Sequence, residues 1–113
     1  AGDKESALRD YLSREGVTVI ETELDGAWGY FHVQTRTIYL QTGMTTGHRV
    51  ATLLHEAAHH WRGDKGPQPQ AIEDRIDEAV ARVLVQPGEY AFWEAQLGSS
   101  SAGIAAALSL PNG

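Results

Sequence analysis

The chain has 113 residues, of which 42% are hydrophobic, enough to bury one core but too few for two independent domains. We therefore expect a single domain over residues 1–113. The formal net charge of −6 gives little electrostatic support for direct nucleic-acid binding. The absence of cysteine excludes disulfides and thiolate metal sites and is compatible with a cytoplasmic location. The longest apolar stretch near the C-terminus, Ile104 to Leu108, is far too short for a membrane anchor.

One helix and three strands are predicted in the first 40 residues. Apolar residues at helical spacing indicate a helix near residues 3–15, and Gly16 can end it in a left-handed conformation. Alternating and aromatic residues indicate strands, and the pair Asp25 and Gly26 is typical of a two-residue hairpin. The predicted strands cover residues 17–24, 27–33 and 37–40. The sequence therefore predicts a small three-stranded antiparallel meander.

The remaining chain is predicted to be helical. Thr45 or Thr46 can cap a long helix that reaches about Arg62, where Gly63 stops it. Further helices are predicted at about Gln68 to Gln86, Glu89 to Leu97 and Ser101 to Ser109. Together with the opening helix, these elements predict an α+β fold in which the meander packs on a core of about five helices.

The second predicted helix contains a His-Glu-Ala-Ala-His motif over residues 55–59. Since an α-helix turns by about 100° per residue, the four-residue separation leaves His55 and His59 only about 40° apart and one turn apart. The apolar residues of this helix gather on the opposite face: Val50, Leu53, Leu54, Ala57 and Trp61. Isolated histidines are usually surface or packed residues, but two on one helix face can bind one zinc ion.

A catalytic zinc site takes three protein ligands and leaves one position for water, so the motif needs a third ligand. Five carboxylates follow it: Asp64, Glu73, Asp74, Asp77 and Glu78. Helical phase places Glu78 among small and apolar neighbours, with Asp74 one turn earlier on the same strip. We expect Glu78, which has the longer side chain, to be the ligand, and Asp74 to be its rival. The alternative is that all five carboxylates lie on a solvated helical face.

The motif, followed nineteen residues after its second histidine by Glu78 in a Glu-Ala helix, resembles the ImmA/IrrE family of metallo-endopeptidases. The resemblance covers roughly Val19 to Leu110, and only the motif and the Glu-Ala helix are specific. It implies a zincin-like helical core. It also implies that His55, His59 and Glu78 are zinc ligands and that Glu56 is the general base.

Members of this family cleave helix-turn-helix repressors or prompt their loss, often in phages, mobile elements or stress circuits. The resemblance thus implies a zinc-dependent endopeptidase that hydrolyses such a transcriptional repressor, with Glu56 assisting attack by a zinc-bound water. The alternative is a non-hydrolytic, metal-containing module that sequesters a repressor or another partner protein. A domain of an antirestriction protein is a third possibility, but it predicts a basic strand-binding region that this acidic chain lacks.

Several residues around the motif allow two interpretations. His48, on the same helix face as the motif, either lines the substrate cleft or is solvated in the first turn. His60 points away from the ligand face and is structural or exposed. Tyr30 and Tyr39 either stabilise an oxyanion or simply pack in the sheet. The strand at 37–40 is expected to offer an edge to an extended substrate.

Overall fold

The computed structural model describes residues 3–66 and 68–85. Its elements, in chain order, are α1 (Asp3–Arg14), β1 (Thr18–Thr22), β2 (Gly29–His32), β3 (Thr37–Gln41), α2 (Thr46–Arg62) and α3 (Gln70–Val85). The helices predicted at residues 89–97 and 101–109 lie outside the described residues. Among the helices that are described, none combines the length and apolar character needed to cross a membrane.

The prediction of an antiparallel meander on a core of five helices is wrong. The sheet is mixed and has the strand order β1-β3-β2. Strand β3 pairs in parallel with β1 and antiparallel with β2. Over the described ranges, this sheet is accompanied by three helices.

Strand β3 lies between β1 and β2 because these two strands are joined by a loop rather than by a two-residue turn. The loop crosses the end of β3, where Gln41 holds it from two sides. The backbone N–H of Gln41 donates to the carbonyl of Trp28 at 2.9 Å, and its side-chain oxygen accepts from the N–H of Leu24 at 2.6 Å. The carboxylate of Glu23 accepts from the side chains of Gln41 and Thr42. These hydrogen bonds separate β1 from β2 and leave the central position to β3.

The core lies where α1, α2 and α3 meet the sheet, and α2 contacts each of the other helices as well as β2 and β3. Its largest fully buried side chains come from four elements: Leu8, Leu12, Ile38, Leu40, Leu53, Leu54 and Ile76. Fully burying a side chain of this size contributes about 1.5–3 kcal/mol. The helix that carries the histidine motif is therefore the central element of the fold.

Both ends of α2 are fixed by capping interactions, and they confirm the predicted bounds. At the start, the hydroxyl of Thr45 accepts from the N–H of His48 at 3.2 Å. At the end, Gly63 adopts a left-handed conformation with φ 76°, and its N–H donates to the carbonyl of His60 at 3.1 Å. The next N–H, that of Asp64, donates to the carbonyl of His59 at 3.0 Å. This second cap brings Asp64 back beside the last turn of the helix.

An ion-pair cluster joins the first turn of α2 to α1 and β1. The guanidinium of Arg49 lies 2.8 Å from the carboxylate of Glu5 and also contacts Glu21. Arg9 donates to the same Glu5 carboxylate at 2.8 Å. The hydrogen bond from Arg49 is the main cause that lowers the pKa of Glu5, against the opposing effect of burial. The cluster therefore stabilises the contact between the N-terminal helix and α2.

Candidate metal centre

The two motif histidines are neighbours on one face of α2. Their ring centroids are 5.2 Å apart, as expected for residues one helical turn apart. His59 is buried and His55 is half-buried, so the pair lies at the edge of the core rather than free in solvent. This position leaves one side of the imidazole pair open to a neighbouring element.

The neighbouring element is α3, and the side chain that reaches both histidines is Glu73. Its Oε1 lies 2.7 Å from Nε2 of His55 and 3.1 Å from Nε2 of His59. The potential ligand atoms of the three residues lie within 4.8 Å of one another. The other carboxylate oxygen of Glu73 accepts from the backbone N–H of Gln68 at 3.3 Å, which orients the carboxylate. These three residues could hold a metal ion.

The structure brings Glu73, rather than Glu78, to the two histidines. A separation of five residues turns a helix by about 140° beyond one full turn, so these two glutamates lie on different faces of α3. Glu78 is exposed to solvent. The rival Asp74 is also exposed and accepts a hydrogen bond from Gln70 at 2.8 Å. We therefore replace Glu78 by Glu73 in the candidate ligand set.

A signal for Glu73 was present in the sequence. Glu73 and Asp77 are separated by four residues, the same spacing as His55 and His59. When two helices pack side by side, a histidine pair on one helix and a carboxylate pair on the other can therefore lie opposite each other. In the structure, Asp77 does lie against His55, one turn beyond the contact that Glu73 makes with it. The spacing alone could not show which face of α3 meets α2.

Each histidine has a second carboxylate partner at its other ring nitrogen. The Nδ1 of His55 lies 2.6 Å from Oδ1 of Asp77, and the Nδ1 of His59 lies 2.8 Å from Oδ2 of Asp64. Asp64 also accepts from the guanidinium of Arg62 at 2.9 Å. Metal-binding histidines commonly donate their second N–H to a carboxylate, which orients the ring. Both imidazoles are therefore arranged to direct Nε2 toward a shared ligand position.

The motif glutamate, Glu56, lies under strand β2 and is only 8% exposed. A Cβ atom added at Gly29 would lie 3.3 Å from Cγ and Oε2 of Glu56 and 2.6 Å from the side chain of Thr52. Only a glycine lets the strand pass this close without displacing these groups. The absence of a side chain at position 29 therefore places the β2 backbone directly beside the Glu56 carboxylate.

The electrostatics of the group follow from burial and from the number of carboxylates. Burial raises the pKa of Glu56, because it disfavours the ionised form. Burial also disfavours the charged form of His55, but Glu56, Glu73 and Asp77 outweigh it and raise the pKa of this histidine. The pKa of Glu73 is lowered, since its imidazole partners outweigh the effect of burial. The carboxylates around His55 thus favour positive charge at this position, as a cation site requires.

Two open cavities meet at this group. The larger has a volume of about 460 Å³ and extends toward Trp28, whereas the smaller, of about 140 Å³, extends toward Phe31. Gly29, Glu56 and Glu73 line both of them. The candidate metal centre therefore lies in the middle of a cleft that follows strand β2.

The structure also places the two other histidines of α2. The ring of His48 packs against Trp28 with a centroid distance of 4.7 Å, and both side chains line the larger cavity. The interpretation of His48 as a cleft residue is therefore the one that the structure supports. His60 packs edge-on against Phe31 at 6.0 Å and lies 3.7 Å from Glu15, which is a structural position.

The tyrosines considered for oxyanion stabilisation lie on the wrong face of the sheet. Tyr30 and Tyr39 stack on each other with a centroid distance of 6.4 Å. Because side chains alternate along a strand and the Cβ direction of Gly29 points toward α2, the side chain of Tyr30 points away from it. The expected substrate edge at residues 37–40 is also wrong, because β3 is the central strand. The edge strand beside the candidate centre is β2.

Comparison with protein-family models, with curated proteins and with solved structures found no match to this chain. The resemblance to the ImmA/IrrE family therefore depends on the motif and on the helix that follows it. The case for a function depends on the geometry of the residues themselves.

Proposed function

We propose that this protein is a zinc-dependent endopeptidase in which His55, His59 and Glu73 hold the metal and Glu56 is the general base. One observation carries the proposal. Two Nε2 atoms converge on one carboxylate oxygen, each Nδ1 is held by a further carboxylate, and a buried glutamate lies beside them. This arrangement has both the ligands and the base that hydrolysis by a metallopeptidase requires.

The donor set fits zinc. Two imidazoles and one carboxylate are a common ligand set of catalytic zinc sites. The three ligand atoms lie within 4.8 Å of one another, whereas ligand atoms bound to tetrahedral zinc at 2.0–2.1 Å are about 3.3 Å apart, so small side-chain shifts would bring them to bonding distance of one ion. Within the described residues, three ligand atoms converge rather than the four of a closed structural site. The set therefore favours a catalytic site over a structural one.

The protein residues have separate roles in the proposed reaction. When bound, zinc supplies a Lewis acid that polarises the scissile carbonyl and makes water a better nucleophile. Glu56 accepts the proton of the attacking water and transfers it to the leaving amine. Its raised pKa makes its carboxylate a stronger proton acceptor than a solvated glutamate. Asp64 and Asp77 hold His59 and His55 in orientation.

Strand β2 offers a binding edge to the substrate. One of its edges is hydrogen-bonded to β3, and no strand among the described residues pairs with its outer edge, which can therefore accept an added strand. An extended peptide that pairs with β2 near Gly29 passes beside Glu56 and the metal ligands. The proposed substrate is therefore a protein segment that can adopt an extended conformation.

The proposed substrate protein is a helix-turn-helix repressor, which would place the reaction in the cytoplasm. This part of the proposal is supported by the motif resemblance alone. The test is to incubate the zinc-loaded protein with the repressor encoded beside its gene and to identify fragments by mass spectrometry. We expect cleavage at a defined bond, abolished by a chelator and restored by added zinc.

The variant Glu56→Gln separates catalysis from metal binding. We expect it to bind one zinc ion per chain while the cleavage rate falls by about 10²–10⁴-fold, the usual contribution of a general base. Glu78→Gln is the matched control and should cleave at the normal rate, because Glu78 is exposed and lies on another face of α3. Fragments that persist with Glu56→Gln would overturn the assignment. A repressor that is bound but left intact would instead indicate a sequestering module.

A further inference from the structure

Trp28 is one of the exposed large apolar residues of the described chain, and it is the one of them that lines the larger cavity. Its side chain is 61% exposed, yet its ring is packed against His48 at a centroid distance of 4.7 Å. An exposed aromatic ring that is held in place differs from a freely moving surface side chain, because little conformational entropy remains to be lost on binding. Exposed apolar surface of this kind commonly marks a binding site.

The larger cavity is lined by this ring and by apolar side chains of α3. Trp28 lies on one side of the cavity, and Val80 and Leu84 of α3 also line it. Ala51 and Ala81 contribute to the lining, and their small side chains leave space in the cleft. The volume of about 460 Å³ lies within the range of pockets that bind small ligands or large side chains.

The same cavity is lined by His55, Glu56 and Glu73. An occupant of its apolar part therefore lies immediately beside the catalytic group. A backbone paired with β2 can reach this position, because Trp28 directly precedes the strand. The occupant that satisfies both conditions is a side chain of the substrate, next to the bond that is cleaved.

We infer that this cleft is a specificity pocket for a large apolar residue, aromatic or leucine-sized, adjacent to the scissile bond, and that Trp28 and Leu84 determine the preference. The inference rests on the proposed peptidase function. A large apolar side chain removes more of Trp28 and Leu84 from water than alanine does, and it leaves no charge buried against them. Small residues at this position are therefore disfavoured, and so are acidic ones, because the carboxylates of Glu56, Glu73 and Asp77 line the same cavity.

The first test measures binding without cleavage. N-acetyl-phenylalanine amide, N-acetyl-alanine amide and N-acetyl-glutamate amide are titrated into the zinc-loaded full chain, and the NMR signal of the Trp28 indole N–H is followed. We expect a saturable shift with the phenylalanine probe and little change with the other two. The absence of a shift, or equal shifts with all three, would overturn the pocket even if the protein cleaves peptides.

The second test measures preference with a peptide library. We expect Trp28→Ala to reduce the ratio of cleavage at large apolar residues to cleavage at alanine by about tenfold or more. Leu84→Ala should reduce the same ratio and serves if the first variant does not fold. Ile20→Ala, which removes an exposed apolar side chain from β1, should leave it unchanged.

The two proposals fail in different ways. If the wild-type chain cleaves no peptide, the peptidase function fails, and the NMR titration still decides the pocket. If both cleft variants retain the wild-type ratio, the pocket fails while the peptidase function stands.

Discussion

The two histidines of the candidate metal centre have unlike surroundings. His59 is 7% exposed, and its carboxylate partner Asp64 is 11% exposed and is held in turn by Arg62. The partner of His55, Asp77, is 68% exposed, and both of these residues line the larger cavity. We refer to the first group as the His59 half of the centre and to the second as the His55 half.

The two halves differ in how firmly each histidine is held and in how open each histidine is to a substrate. In the His59 half, the hydrogen-bond chain is largely buried, so water replaces a lost partner less readily than at an exposed carboxylate, and the ring is held in place before a ligand arrives. In the His55 half, water can substitute for the exposed Asp77 carboxylate, and the open cavity gives a substrate access. In the proposed enzyme, the His59 half would hold the metal ion in place, and the His55 half would lie on the side from which the substrate approaches.

The largest effect is expected from removing Glu73, because its carboxylate contacts the histidines of both halves. We expect Glu73→Ala to weaken zinc affinity by more than about 100-fold, which is at least the effect of losing an outer-shell partner. Competition with a chelator of known affinity measures the change. Glu78→Ala is the control and should bind zinc normally. The opposite result, with zinc lost only from the Glu78 variant, would restore the original ligand prediction.

The next effects are expected from Asp64 and Asp77, the second carboxylate partners of His59 and His55, because one is largely buried and the other is exposed. We expect Asp64→Asn to weaken zinc affinity by about 10–100-fold. Asp77→Asn should cost less than about tenfold, since solvent can replace an exposed partner. The same chelator competition gives both values. Equal losses in the two variants would mean that burial does not distinguish the halves.

Gly29 lies beside Glu56 and lines both cavities. A side chain at this position should therefore disturb cleavage but affect the two halves of the centre alike. We expect Gly29→Ala to lower the free energy of unfolding by about 1 to 2 kcal/mol, because its Cβ would lie 2.6 Å from Thr52. Cleavage should fall further than zinc binding does. The control is Gly47→Ala, since nothing lies within 4 Å of a Cβ added at Gly47. Urea unfolding of both variants measures the change in the free energy of unfolding. A Gly29→Ala variant as stable as the wild type would contradict the predicted clash.

The smallest effect is expected far from both halves, in the Glu5–Arg49 cluster. The pKa of Glu5 is lowered in the folded protein, so its contribution is present above the unfolded pKa and is lost as pH falls through the folded pKa. We expect Glu5→Gln to lose about 1 kcal/mol near neutral pH and less in acid. Thermal unfolding over a pH series measures this loss. A change in zinc affinity would contradict the separation of this cluster from the centre.

The features that could be predicted from the sequence were those set by local chemistry. Thr45, Gly63 and the apolar residues of α2 indicate the ends and the buried face of this helix, because caps and helical spacing act over a few residues. The position of His55 and His59 one turn apart on one helix face follows from the same spacing. These parts of the site needed no information about distant residues.

The parts that could not be predicted depend on contacts between distant segments. The pair Asp25 and Gly26 gives no indication that Gln41 will hold their loop across the end of β3. Likewise, the sequence of α3 shows which residues are apolar and buried. It does not show how the helix is rotated about its axis, and therefore which carboxylate faces the histidines. That rotation is what selects Glu73 over Glu78.

The ligand set draws on two helices, and this has a consequence for folding. His59 and Glu73 are separated by a loop whose Gln68 is itself bonded to Glu73, so a shared ion cross-links segments that the unfolded chain leaves apart. Such a cross-link forms only in the native state, so an ion present at 100 times its dissociation constant adds about 2.7 kcal/mol to folding. The melting temperature of this protein is therefore expected to depend on the free zinc concentration around it.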